Sequence, residues 1–153
     1  MIQRIQSIFL LLSAAFMGGM FISKLAWFTS QGTTYEMLLT GVSPNLTLTD
    51  GSAISMIPLI VFVAFVCLLS FVALFLFKNR VLQMRITVVG AILKIGVMGI
   101  VYYYASHIAG LLNTEFSLFY PFVFPFIALI FDFLAIKNIA RDEALVRAAD
   151  RIR

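Results

Sequence analysis

The sequence predicts an all-α membrane protein. The expected fold is a bundle of four transmembrane helices with a small β-hairpin outside the membrane between helices 1 and 2, and a helix at the C-terminus on the cytoplasmic side. Three observations predict this. Of the 153 residues, 62% are hydrophobic, against roughly half in a soluble domain, and the mean hydropathy is +1.05. The apolar residues fall into four blocks, each near the ~20 residues that carry a helix across a bilayer. The charged residues, 12% of the chain, gather at the ends of those blocks. A net charge of +4 distributed in that way is the pattern of the positive-inside rule. It lacks the clustered basic face of a nucleic-acid binder, so no nucleic acid is expected as a partner. Cys67 is the single cysteine, which excludes an internal disulfide and a cysteine metal cluster.

In chain order, the first span is expected over about 5–28. Arg4 precedes an apolar run that continues through Trp27 and Phe28, too long for the core of a leader peptide. Ala14 and Gly18, Ala15 and Gly19, and Gly19 and Ser23 are small pairs four residues apart, a spacing that lets another helix approach closely. Lys24 lies about a turn from the expected end and would extend its amine outward. The outer loop, 29–52, holds two strand-like stretches, Thr33 to Leu39 and Leu46 to Thr49, around the turn chemistry of Gly41-Val42-Ser43-Pro44-Asn45. The second span is expected over 53–77, with Pro58 near its first turn, where proline is tolerated. Lys78-Asn79-Arg80 makes a basic connection to the third span, 82–105, which ends in Tyr102-Tyr103-Tyr104, an interfacial aromatic belt. His107 follows at the water boundary, and 108–116 is a short second outer loop. The fourth span, 117–137, carries Pro121 in its first turns and Pro125 further in, where a kink or an opened turn is expected. The tail, 138–153, continues as a helix with Glu143 and Arg147 in the favourable i, i+4 order. The whole chain is read as one integral membrane domain.

The basic residues set the threading. Arg4, Lys78, Arg80, Arg85, Lys137, Arg141, Arg147, Arg151 and Arg153 fall on one side, and only Lys24 on the other. The nine should face the cytoplasm, which puts both termini inside and both loops outside. Trp27, the three tyrosines and Tyr120 then share the outer boundary.

Two ionisable residues lie inside spans, Lys94 and Asp132. An unpaired charge there costs about 3 kcal/mol or more, so a Lys94–Asp132 salt bridge between the third and fourth spans is expected. A packing clamp that sets helix register is favoured over a proton or ion pathway, because a pathway needs a chain of polar groups and the membrane holds one acid. In the tail, Arg141, Asp142, Glu143, Arg147, Asp150 and Arg151 hold more charge than anchoring needs and form a candidate docking surface. The outer loops offer Glu36, Asp50, His107 and Glu115 without metal-ligand or nucleophile–base spacing, so neither an enzyme nor a cofactor is expected.

The opening MIQRIQSIFLLLSA and the closing AIKNIARDEALVRAADRIR resemble a family of four-span membrane proteins from Bacteroidetes, domain of unknown function 4293. The likeness spans the chain in length, hydropathy and both terminal motifs. It implies a bacterial inner-membrane protein and supplies no activity, substrate or site. The layout is also similar to that of claudin-like proteins, a likeness of topology alone. The function expected is that of a non-enzymatic accessory or scaffold subunit, in contact with membrane lipids and with another membrane protein or a second copy of itself. The alternative is a small oligomeric transporter or channel that uses Lys94 and Asp132.

Overall fold

Buried positions recur at intervals of four and three residues along every long helix. On the first helix, α1 (Ile2–Gly19), they include Gln6, Leu10, Ser13 and Met17. On α2 (Ile57–Phe75) they are Leu59, Val63, Val66, Ser70 and Ala73. On α3 (Arg80–Leu112) the same spacing runs from Gln83 through Thr87, Gly90, Lys94 and Val97 to Val101. On α4 (Phe124–Asp150) it runs from Pro125 through Ala128, Asp132, Ala135 and Ile139 to Asp142. This is the four-and-three spacing of a heptad seam, the pattern of helices packed side by side in a bundle. The helices close a ring: α1 and α3 each pack on both α2 and α4. The computed structural model describes residues 2–30, 32–43 and 55–150, at the backbone alone for 2–5, 78 and 145–150.

Many seam residues are small (Ser13, Ala14, Ser70, Ala73, Gly90, Ala128, Ala135). Between membrane helices the solvent is as apolar as leucine, so association depends on close packing and interhelical hydrogen bonds. The opposite faces carry exposed large apolar groups such as Phe65, Leu68, Ile92, Ile95, Phe126 and Phe133. In water such a surface would drive aggregation. Three helices are long and apolar enough to cross a membrane: Ile57–Phe75, Arg80–Leu112 and the segment Tyr120–Ala144. The apolar part of α1, Gln6–Gly19, is shorter.

The first expected span is corrected. Its helix stops at Gly19 and does not continue to 28. Gly18-Gly19, the residues of lowest helix propensity after proline, end it, and a turn through Ser23 leads into strand β1 (Lys24–Ser30). The apolar run persists through this change, but its period shifts. Phe28 is buried while Trp27 and Thr29 are exposed, the alternation of a half-buried strand. Lys24 therefore sits on a strand and does not extend from a helix end.

The expected outer hairpin is also recast. Thr33 to Leu38 forms strand β2, but its partner is β1, in register from Ser30↔Thr33 to Lys24↔Leu38, with Gly32 at φ 79° in the connecting turn. The residues read as a turn, Gly41 to Ser43, form a third strand, β3. The second expected strand, Leu46 to Thr49, lies outside the described residues. A fourth strand, β4 (Phe116–Leu118), comes from the other loop, and the antiparallel order is β3-β2-β1-β4. The sheet buries Leu25, Phe28, Met37, Leu39 and Val42 in one core with Met20, Met56, Leu59 and the C-terminal half of α3.

Other boundaries also differ from the reading of the sequence, and α2 runs from Ile57 to Phe75 where 53–77 is expected. The third helix runs seven residues beyond 105, to Leu112, so His107 lies on it, exposed and stacked on Tyr103. Asn113 ends it in the left-handed conformation, φ 47°, which asparagine tolerates. The Thr114 hydroxyl then donates to the Thr29 carbonyl at 2.6 Å. The fourth helix begins at Phe124 and not at 117. Pro121 sits in a 3-10 turn, Tyr120–Val123, and Pro125 falls in the first turn of α4, where its missing N–H leaves no helical bond unmade. The tail is helical to Asp150 as a direct continuation of α4.

Candidate functional site

One seam position on each helix is polar at a single level of the bundle: Ser13 on α1, Ser70 on α2, Lys94 on α3 and Asp132 on α4. The structure brings all four together. The Lys94 ammonium donates to Asp132 Oδ2 at 2.5 Å and to Ser70 Oγ at 2.8 Å. Ser13 Oγ donates to the other carboxylate oxygen, Oδ1, at 2.6 Å. Ser70 Oγ donates in turn to the Val66 carbonyl at 3.2 Å. Lys94 and Asp132 are each only 1% exposed.

Local structure explains how these groups meet. Helical side chains lean toward the N-terminus of their own helix. The Lys94 stem leans that way over Gly90, and Nζ lies 3.8 Å from where a Cβ on that glycine would stand. Ser70 returns its proton to its own helix one turn back, which frees its lone pairs for the ammonium. The carboxylate accepts from two helices at once, and the Lys94–Asp132 pair as a whole carries no net charge. Among the described residues, no buried side-chain nitrogen or oxygen lacks a partner.

Two further polar contacts tie adjacent helices toward the end away from the sheet. Gln83 Nε2 donates to the Ala73 carbonyl at 3.0 Å, joining α3 to α2. Gln6 Nε2 donates to Asp142 Oδ2 at 2.5 Å, joining α1 to α4. The second contact changes the reading of the tail. Asp142, taken from the sequence as a docking residue, is buried against α1 and engaged inside the fold. The reason is the heptad: Asp142 falls on the same seam as Asp132. Arg141 is exposed and Glu143 half-buried. Arg147 and Asp150 are described at the backbone alone, and Arg151 lies outside the described residues.

Of the outer acids, Glu36 is paired with Lys24 at 2.7 Å, and Glu115 is exposed. Asp50 lies outside the described residues. Among the described residues, no three His, Cys, Asp or Glu side chains gather as a metal site would require. An apolar groove of about 440 Å³ opens between α1 and α2, floored by Ala14, Ala15, Ala64 and Cys67 and walled by Leu11, Phe21, Leu68 and Phe71. At the end of α1, Gly19 meets the Phe124 ring, where an added Cβ would stand 3.2 Å from the nearest ring carbon.

Ser13 and Ser70 were not singled out from the sequence. Their signal was present. Each is a lone hydroxyl in the middle of an apolar run, and each stands at four-and-three spacing from the residues that prove buried.

No curated protein matches the chain. A family model does match, over residues 2–152, and the chain belongs to that family, described as domain of unknown function (DUF4293).

Proposed function

From that membership, which assigns no activity, we propose a four-span accessory or scaffold subunit of the bacterial inner membrane, with a claudin-like layout. The observation that carries this reading is the closed polar layer. Its ammonium and carboxylate are spent on each other and on two hydroxyls, one group from each helix, so the layer works as a register lock. It keeps no free group for chemistry or for a conducting file. Function then resides on the surfaces that the lock holds in place: the lipid-facing helices, the sheet at one end and the tail at the other.

Two points support the count of four spans. The apolar part of α1, Gln6–Gly19, extends about 21 Å, and the apolar residues Met20, Phe21 and Ile22 that follow it carry the chain on toward the ~30 Å of the hydrocarbon core. The helix also lies along α4 from the Gly19–Phe124 contact at one end to the Gln6–Asp142 bond at the other. The threading rests on the basic residues: with nine of eleven on one side, both termini are cytoplasmic and the sheet is outside. The partner expected is another membrane protein or a second copy of the chain.

The test is purification from the source membrane in native nanodiscs, followed by mass spectrometry of what remains bound. The accessory reading expects one stoichiometric protein partner, lost when residues 144–153, beyond the buried Asp142, are deleted. A clean monomer, together with liposome ion flux that disappears in Lys94→Met, would overturn it in favour of a transporter.

A further inference from the structure

Strand β1 replaces the last part of the helix that hydropathy predicts, so its outward face stands where a span would have met the bilayer surface. The long helix α3 serves as a ruler for that height. Tyr102 is eight residues beyond Lys94 on α3, about 12 Å along the axis. With the polar layer at mid-membrane, the hydrocarbon edge lies about 15 Å away. The Tyr102 ring, which leans back toward Lys94 as helical side chains do, therefore lies just inside that edge, at the depth of belt aromatics. It packs on Phe116, with ring centroids 5.6 Å apart. Phe116 pairs with Phe28, and the next pair along the same two strands is Ser117 with Trp27. Trp27 is thus carried to the level of the tyrosine belt by a strand.

Its surroundings point the same way. Trp27 is exposed and lies 6.1 Å from the Phe119 ring. Tyr120, 77% exposed, opens the apolar segment Tyr120–Ala144, and Ile22, just before β1, is 87% exposed. The same face of the sheet carries the Lys24–Glu36 ion pair, and apolar rings beside charged groups suit the glycerol and head-group layer.

We infer that β1 is a membrane-surface strand. Its Trp27 face, with Ile22 and Tyr120, rests in the glycerol and head-group layer of the leaflet on the sheet side, and phospholipid is its partner. The inference rests on the four-span reading, and the experiment separates the two. Trp27 is the single tryptophan, so its fluorescence reports on this face alone.

The full chain is reconstituted in phosphatidylcholine–phosphatidylglycerol vesicles whose acyl chains are dibrominated either near the glycerol or near the chain end. Emission should fall more with the shallow bromines than with the deep ones, and aqueous iodide should quench less than it quenches free tryptophan. Quenching by iodide as strong as for free tryptophan would place the face in water. Insensitivity to all three quenchers would place it under protein, a second copy or a retained partner. Strongest quenching by the deep bromines would place it in the hydrocarbon. Each of these results overturns the inference. In a Trp27→Phe background, Phe133→Trp puts a reporter on the exposed face of α4 next to Asp132, where the deep bromines should quench most. If that reporter behaves and Trp27 does not, the strand inference alone falls. If neither responds to bromolipid, the four-span reading falls and takes the inference with it.

Discussion

Among the described residues, two lysine–carboxylate pairs of nearly equal length stand in opposite surroundings. Lys94 and Asp132 meet at 2.5 Å with each side chain 1% exposed, while Lys24 and Glu36 meet at 2.7 Å with side chains 52% and 33% exposed. Length alone would rank them together. The medium separates them. Water and salt already satisfy the exposed pair, and its attraction is screened. The buried pair has no alternative partner but the two serines, so each charge depends on the other. The buried pair is weak evidence of net stabilisation, because two charges had to be desolvated to form it. It is strong evidence of specificity, because any slip of one helix against its neighbours would strand a charge.

The comparison can be broken most directly at the buried pair. Lys94→Met or Asp132→Leu alone should lower the unfolding free energy by about 3–5 kcal/mol, the usual result of leaving one buried charge unpaired. The double variant should recover most of that loss, since apolar side chains of similar volume then fill the layer. Unfolding of the three variants in mixed micelles measures this. Losses that simply add in the double variant would mean that the two residues are not coupled.

A smaller effect sharpens the role of the serines. Ser13→Ala removes the donor to Asp132 Oδ1 and should cost about 1–3 kcal/mol, the range for a buried acceptor left unsatisfied. The same substitution in the Lys94→Met/Asp132→Leu background should be close to neutral, because the acceptor is gone. An equal loss in both backgrounds, read by the same unfolding titration, would assign Ser13 to packing and not to the polar layer.

The smallest effect belongs to the exposed pair. Lys24→Ala should change stability by less than about 1 kcal/mol, and the change should vanish near 1 M salt, where the screening length falls to about 3 Å. A loss comparable to that of Lys94→Met would mean that the pair is sealed from water and ions and that the contrast between the two pairs does not hold.

Sequence alone determined what depends on composition and local periodicity. Hydropathy marked the apolar segments, because a bilayer selects for length and apolarity residue by residue. Lys94 and Asp132 stood out because a charge in an apolar block is conspicuous without neighbours. The tertiary structure decided what depends on which segments meet. Hydropathy does not distinguish a helix from a strand, so the apolar run past Gly19 was read as helix until the strands Thr33–Leu38 and Phe116–Leu118 supplied its ladder. The sheet draws its fourth strand from the stretch between α3 and α4, a pairing across about ninety residues of sequence that no local pattern encodes. Asp142 looked like part of a solvated charged run, and only the packing of α1 on α4 gave it Gln6. Ser13 and Ser70, ordinary hydroxyls in their own helices, became members of a polar layer only because four heptad seams converge at one level. A hydroxyl's role is set by the charge it faces, and that charge lies on another helix.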